Sequence, residues 1–444
     1  MTQPHAALAA TPATFPPGFL WGAATAAHQV EGGNTASDFW ALENMPGTFF
    51  AEPSGAACDH YRLYRQDIAL LAELGLTSYR FSIEWARVEP EDGEFSADAI
   101  AHYRDVLQAC HDHGITPMVT LHHFTSPRWL MRLGGWEYEG TPERFAAYTR
   151  RVMAELGSLI PYACTINEAN IGPVIRGLMA PPAGPESAGA VSAGDQSAQA
   201  PVGVGDAIAS LLDAGLDAGA EALGVAPGTL HIFLFTASEA GIAVVRQAHV
   251  AAREAIRAVS PQTKVGITLA LTDYQALPGG EQAADRLWGE QVSDFLPAME
   301  GDDFLGVQNY TRALVSADGV QPARPGAELT QMGYEYYPRA LQGVLRRAAA
   351  TGLPLIVTEN GVATADDARR ADFIRDALEG VGKCLADGID VRGYYYWSAL
   401  DNFEWMLGYH PTFGLIAVDR ATQRRQVKES ARYLGGIARR NALP

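Results

Sequence analysis

Two glutamates each close a short apolar run. Residues 162–170 read YACTINEAN, placing Glu168 after Thr165-Ile166-Asn167, and residues 354–361 read PLIVTENG, placing Glu359 after Val357-Thr358. An apolar run that stops at a carboxylate beside Asn or Gly reads as a buried strand delivering its last side chain to a loop. Two such strands can hold two carboxylates face to face. Hydrolysis of a glycosidic bond by the common route needs that pairing, because one carboxyl protonates the leaving oxygen while the other attacks or activates water.

Other polar side chains fall at the ends of similar runs: Gln29 and Glu31, His122 and His123, Asn167, Asn309 and Tyr310, and Trp397, while Arg80 lies within the second run. Each has a plainer reading as well. Arg80 can simply neutralise a buried carboxylate, and His123 can be a satisfied core histidine. His122 and His123 are adjacent in a strand and point to opposite faces, while His111 and His113, two apart on a helix, diverge. No metal site is therefore expected. No Gly-rich phosphate loop precedes a helix and no Ser-centred elbow occurs, so no cofactor is expected either.

Residues 394–419, YYYWSALDNFEWMLGYHPTFGLIAVD, interleave Trp397, Phe403, Trp405, Tyr409 and Phe413 with Asp401, Glu404 and His410. A sugar presents an apolar C–H face and a rim of hydroxyls, so its site wants an aromatic plate and fixed polar partners. The segment supplies both, unless Trp397 and Trp405 only fill a core corner.

Eight apolar runs are strand candidates: 18–28, 78–85, 115–123, 162–168, 264–271, 303–310, 354–359 and 391–398. Helical periodicity lies between them, over 96–113 (Ile100, Tyr103, Leu107, Cys110, then Gly114) and over 366–387 (Ile374, Leu378, Val381, Leu385, then Gly388). Strand–helix alternation repeated eight times predicts an α/β fold, a single (β/α)8 TIM barrel of typically about 250 residues, here with enlarged βα loops. Its site would lie at the C-terminal ends of the strands. The expected division is a flexible N-terminal tail over 1–14 and one barrel domain over 15–444. The tail lacks a basic start and a continuous apolar stretch, so it does not read as a signal peptide. Residues 180–205, rich in Ala, Gly, Pro and Ser, read as a mobile loop that either shapes the pocket mouth or is a tolerated surface insertion.

The 444 residues are 48% hydrophobic and 19% charged, as in a globular chain with a large core. A net charge of −18 argues against nucleic acid and anionic membrane as partners and favours a neutral or cationic ligand. Cys58, Cys110, Cys164 and Cys384 show no metal spacing and read as buried thiols of a reducing compartment, which points to the cytoplasm.

Taken in order, FLWGAATAAHQVEG (19–32), YRFSIEWARVEP (79–90), LHHFTSPRWL (121–130), TINEAN, DFLGVQNYT, VTENG, WSALDNFEW and FGLIAVD (413–419) make the chain resemble glycoside hydrolase family 1, the retaining β-glucosidase family. Each motif alone is weak; together they are highly specific. The resemblance implies Glu168 as acid/base, Glu359 as nucleophile, Tyr310 and Arg80 around the nucleophile, and Asn167 toward the sugar 2-hydroxyl. It also implies that Gln29, His123, Glu404 and Trp405 bind the remaining glycone hydroxyls, with Trp397 beneath the ring. The implied substrate is a small β-glycoside, such as cellobiose or an aryl glucoside, carrying a terminal β-D-glucosyl residue.

Some positions depart from the commonest family pattern. Phe124 stands where Trp is frequent, Ala169 where Pro is frequent, and Gln308-Asn309 where Asn-Tyr is frequent, while residues 180–230 show little resemblance. Both carboxylates survive these changes. A 6-phospho-β-glucosidase and a non-catalytic sugar-binding barrel stay open as alternatives, the first disfavoured by the charge of Glu404. The sequence leaves the preferred glycone and aglycone, the oligomeric state, product inhibition and transglycosylation undecided.

Overall fold

The computed structural model describes residues 14–179 and 215–444. The insertion expected to form a mobile loop over 180–205, and all of the expected tail except Thr14, lie outside the described residues. Thr14 pairs with Ala442 in an antiparallel bridge, so it belongs with the barrel rather than the tail.

Eight parallel strands form the frame: β1 (Leu20–Ala24), β2 (Ser78–Ser82), β3 (Thr116–His122), β4 (Tyr162–Ile166), β5 (Lys264–Ala270), β6 (Phe304–Gln308), β7 (Leu355–Asn360) and β8 (Val391–Trp397). Each pairs with its sequence neighbour, and β1 also pairs with β8, from Leu20↔Gly393 to Ala24↔Trp397, which closes the barrel. The fold is therefore the (β/α)8 barrel expected from the alternation of runs. β2, β6 and β7 are buried at every residue, as strands covered on both faces must be.

The two helices read from periodicity run over Ala97–Asp112 and Asp367–Ala386. The Ser96 hydroxyl accepts from the Ala99 amide, and the Asp366 carboxylate accepts from the Ala368 and Arg369 amides. Both thus satisfy donors that the first turn leaves open. Between barrel and helices lies the main hydrophobic core, continuous with the barrel interior. The four cysteines are free and buried in or beside it.

Two features depart from the expected elements. The first run does not stay extended to His28, because the ladder ends where Thr25 N donates to Arg80 O. Ala27 N then turns to Ser82 Oγ at 2.7 Å, opening a helical turn over Ala27–Val30. Small extra sheets also sit outside the barrel, one of Asp273–Ala276, Arg312–Ser316 and Gly319–Gln321, the other of Ile416–Val418 and Arg425–Val427. At the mouth, Gly361 follows β7 where a Cβ would lie 1.9 Å from Trp397 O, so only glycine lets the ends of β7 and β8 approach this closely.

Candidate active site

Arg80 stands on β2 with its side chain wholly buried. Its Nη1 donates to Glu359 Oε1 and its Nη2 to Asn167 Oδ1, both at 2.5 Å. Tyr310, two residues beyond β6, donates its hydroxyl to the other Glu359 oxygen, Oε2, at 2.5 Å. Glu359 is therefore held from two sides by donors. The carboxyl of Glu168 has no hydrogen-bond partner among the described residues. Instead its backbone is fixed, with Glu168 N donating to Thr268 Oγ1 at 2.9 Å and Ala169 N to Thr268 O at 3.0 Å.

Electrostatics separates the two carboxyls further. Burial, then the charge of Glu359, pushes Glu168 well above the usual carboxylate range. Burial also raises Glu359, but the Arg80 charge and the Tyr310 and Arg80 hydrogen bonds oppose that rise. Glu168 is thus the carboxyl held more firmly in its protonated form, and an unequal pair of this kind can supply an acid beside a nucleophile.

Both open into a cavity of about 390 Å³. At one end, Gln29 Nε2 reaches Phe403 O at 2.7 Å and Glu404 Oε2 at 3.3 Å, leaving its own Oε1 buried and unpartnered. The His123 ring lies between Trp397 and Trp405, stacked on both at centroid distances of 5.7 and 6.0 Å. Burial and the Arg80 charge hold its pKa well below the usual histidine value, so it is a neutral donor and acceptor. Burial and Glu359 push Glu404 up to about 8. An upward shift of this kind weakens the repulsion of a phosphate expected from its charge. No lysine or arginine lines the cavity among the described residues. Apolar side chains line much of the rest: Ile171, Val174 and Ile175 on the helix after Glu168, with Leu234, Leu271 and Phe413.

Three non-glycine residues on the cavity wall hold positive φ: Phe124 at 69°, Glu168 at 44° and Trp405 at 49°. Left-handed backbone at side-chain-bearing residues is strained, and its clustering marks a site whose surroundings over-determine it.

The ten residues to which the family resemblance gives a role lie here, as cavity lining or in direct hydrogen bond to it. Phe413 and Met406 of the 394–419 stretch line the cavity as well, but Asp401, Tyr409 and His410 do not. Asp401 pairs with Lys428 at 2.8 Å and accepts from Gly414 N, Tyr409 donates to Ser54 O at 2.5 Å, and His410 is exposed. Asp401 and Tyr409 hold the loop that carries Glu404 and Trp405. His122 faces outward onto Trp136 and Phe233, opposite to His123, as strand alternation requires. Glu31 pairs with Arg87 and Tyr103 away from the cavity. Asn309 spends its amide on the Leu271 and Thr311 carbonyls. Met332 and Tyr334, which also line the cavity, come from a loop without periodicity, so no sequence signal marked them. Among the described residues no cluster of three His, Cys, Asp or Glu could hold a metal ion.

A closed parallel barrel with two glutamates facing each other at the ends of its fourth and seventh strands is the architecture of a glycoside hydrolase. The model of glycosyl hydrolase family 1 matches residues 11–188 and 301–443, and the chain belongs to that family. It is 32% identical to the thermostable beta-glucosidase B of Thermobispora bispora, over 100% of this chain and 95% of that one. It is 31% identical to the bifunctional beta-D-glucosidase/beta-D-fucosidase of Bifidobacterium breve, over 94% and 96%. Among solved structures it is similar to beta-glycosidase BGL167, with a TM-score of 0.86 and 52% identity over 97% and 98% of the two chains. It is also similar to the beta-glucosidase of Thermotoga maritima in complex with cyclophellitol, with a TM-score of 0.79 and 25% identity over 97% and 100%.

Proposed function

We propose that the chain is a retaining β-glucosidase that releases terminal, non-reducing β-D-glucosyl residues from small β-glycosides, including cellobiose and aryl glucosides. The observation that carries the reading is the asymmetry of the two carboxyls: Glu359 clamped by Arg80 and Tyr310, and Glu168 buried without a partner. Glu359 attacks the anomeric carbon while Glu168 gives its proton to the departing oxygen. The glycosyl ester then removes the charge of Glu359, which was raising Glu168. The Glu168 pKa falls, and Glu168 takes a proton from the water that hydrolyses the ester. Asn167 faces the 2-hydroxyl. Gln29, His123, Glu404 and Trp405 take the other glycone hydroxyls, and Trp397 lies under the ring.

The same reading places the chain in the cytoplasm, in keeping with four free thiols and no disulfide among the described residues. It takes 15–444 as one domain. No helix of the described residues is long and apolar enough to cross a membrane.

The test is chemical rescue. Glu359→Gly and Glu168→Ala should each remove most activity. Added azide on an activated β-glucoside should then give the β-glycosyl azide with Glu168→Ala and the α-azide with Glu359→Gly. The same anomer from both variants would overturn the assignment of roles.

A further inference from the structure

Glu359, Arg80, Asn167 and Gln308 form a row of hydrogen bonds whose direction is fixed from one end. A carboxylate only accepts and a guanidinium only donates. Arg80, donating to both neighbours at 2.5 Å, therefore requires Asn167 to turn its oxygen toward it. The same oxygen receives Gln308 Nε2 at 2.8 Å, and that nitrogen also reaches Thr268 Oγ1 at 3.2 Å. Both amide orientations, which heavy atoms alone leave ambiguous, are thus settled by Arg80.

Two atoms are left over. Asn167 Nδ2, a donor, and Gln308 Oε1, an acceptor, are both buried without a partner, and both residues line the cavity. A hydroxyl donates and accepts at once, so it is the group that satisfies such a couple. Gln308 is also the register partner of Glu359 between β6 and β7, which sets it beside the carboxylate that meets the anomeric carbon.

We propose that Gln308 is a further substrate-reading residue: with Asn167 it reads the sugar hydroxyl next to the anomeric carbon. Its oxygen accepts the hydroxyl proton while its nitrogen holds Asn167 in the donating orientation. The proposal rests on the proposed function, in which Asn167 faces the 2-hydroxyl. It gives the Gln at this position a use of its own, since the long side chain spans from β6 to Asn167 and still presents its oxygen.

The experiment compares a nitrophenyl β-D-glucoside with its 2-deoxy analogue. Gln308→Met keeps the length and removes both polar atoms, so kcat/KM for the glucoside should fall by roughly tenfold or more, with little change for the 2-deoxy sugar. In an Asn167→Ala background the same change should add little, because the two act on one hydroxyl. Gln308→Asn, with both amide atoms on a shorter arm, should give an intermediate loss confined to the glucoside. It also serves if the Met variant fails to fold. Equal losses on both sugars with a lower Tm would make Gln308 a packing residue and overturn the proposal. Asn167→Ala tells the two failures apart. If it too treats the sugars alike, the site reading itself is wrong; if it discriminates while the Gln308 variants do not, only the proposal falls.

Discussion

Tyr310 shows how one hydroxyl can tune the reaction. Its hydrogen bond to Glu359 Oε2 favours the ionised carboxylate against the burial that raises it. Tyr310→Phe leaves the ring in place and removes that support, so the Glu359 pKa rises. Because Glu359 must be ionised to attack in the proposed mechanism, the acidic limb of the kcat/KM profile should move to higher pH and the plateau should fall by about ten- to a hundredfold. A pH–rate series on one β-glucoside checks both, and an unshifted acidic limb would detach Tyr310 from the nucleophile. The sequence ended its sixth run on Tyr310 and the family pattern paired it with Glu359. The Arg80-fixed direction of the amide row was not legible, since it depends on which atoms face each other across three strands.

At the scale of elements, β5 supports the end of β4. Thr268 on β5 accepts from the amide of Glu168 with its hydroxyl and from that of Ala169 with its carbonyl, holding the turn at which Glu168 takes a φ of 44°. Thr268→Val keeps the shape and strands the buried Glu168 amide, which should cost about 1–3 kcal/mol. Thermal melts should register that loss, and turnover should fall with it as the turn relaxes and Glu168 leaves its place. A melt unchanged within error would mean that the turn is held by packing alone. All eight barrel strands were legible because each is a run of apolar residues bounded by turn signals, and the Ala97–Asp112 and Asp367–Ala386 helices were legible from apolar stripes closed by glycine. The helical turn that carries Gln29 was not, since its four residues are too few to show a period and Ser82, a distant residue, redirects the chain. The outer sheets escaped for a similar reason: strands of three to five residues, such as Gly319–Gln321, are too short to establish a period.

For the molecule as a whole, burying acidic groups ties stability to pH. Asp38 accepts from the Phe39 and Ser126 amides through Oδ1, while Oδ2 is buried without a partner, and burial pushes its pKa from 3.8 to about 8. The folded state thus holds a proton that the unfolded chain releases near pH 4. Its stabilising effect is complete below that pH and is lost as pH rises through about 8. Asp38→Asn retains the accepting oxygen and no longer titrates. The variant should lose less stability than the parent between about pH 5 and about pH 8, measured by denaturant melts at several pH values. Parallel curves for the two proteins would show that Asp38 is ionised in the fold.

The apolar wall of Ile171, Val174, Ile175, Leu234 and Leu271 also bears on the fate of the glycosyl-enzyme after bond cleavage. In the proposed mechanism, once the first alcohol has left, the ester on Glu359 waits for any nucleophile that occupies the vacated space, and an apolar wall there suits a hydrocarbon chain better than it suits water. Competition between solvent and added alkanols should therefore tilt toward the alkanol as its chain lengthens, each methylene contributing up to about 0.8 kcal/mol while it still touches the wall. Product ratios of alkyl glucoside to free glucose, from methanol to hexanol at equal concentration, would trace how far the wall extends. A flat series would leave the departing group in open solvent, and the rising one would make the chain a synthetic catalyst for apolar glucosides.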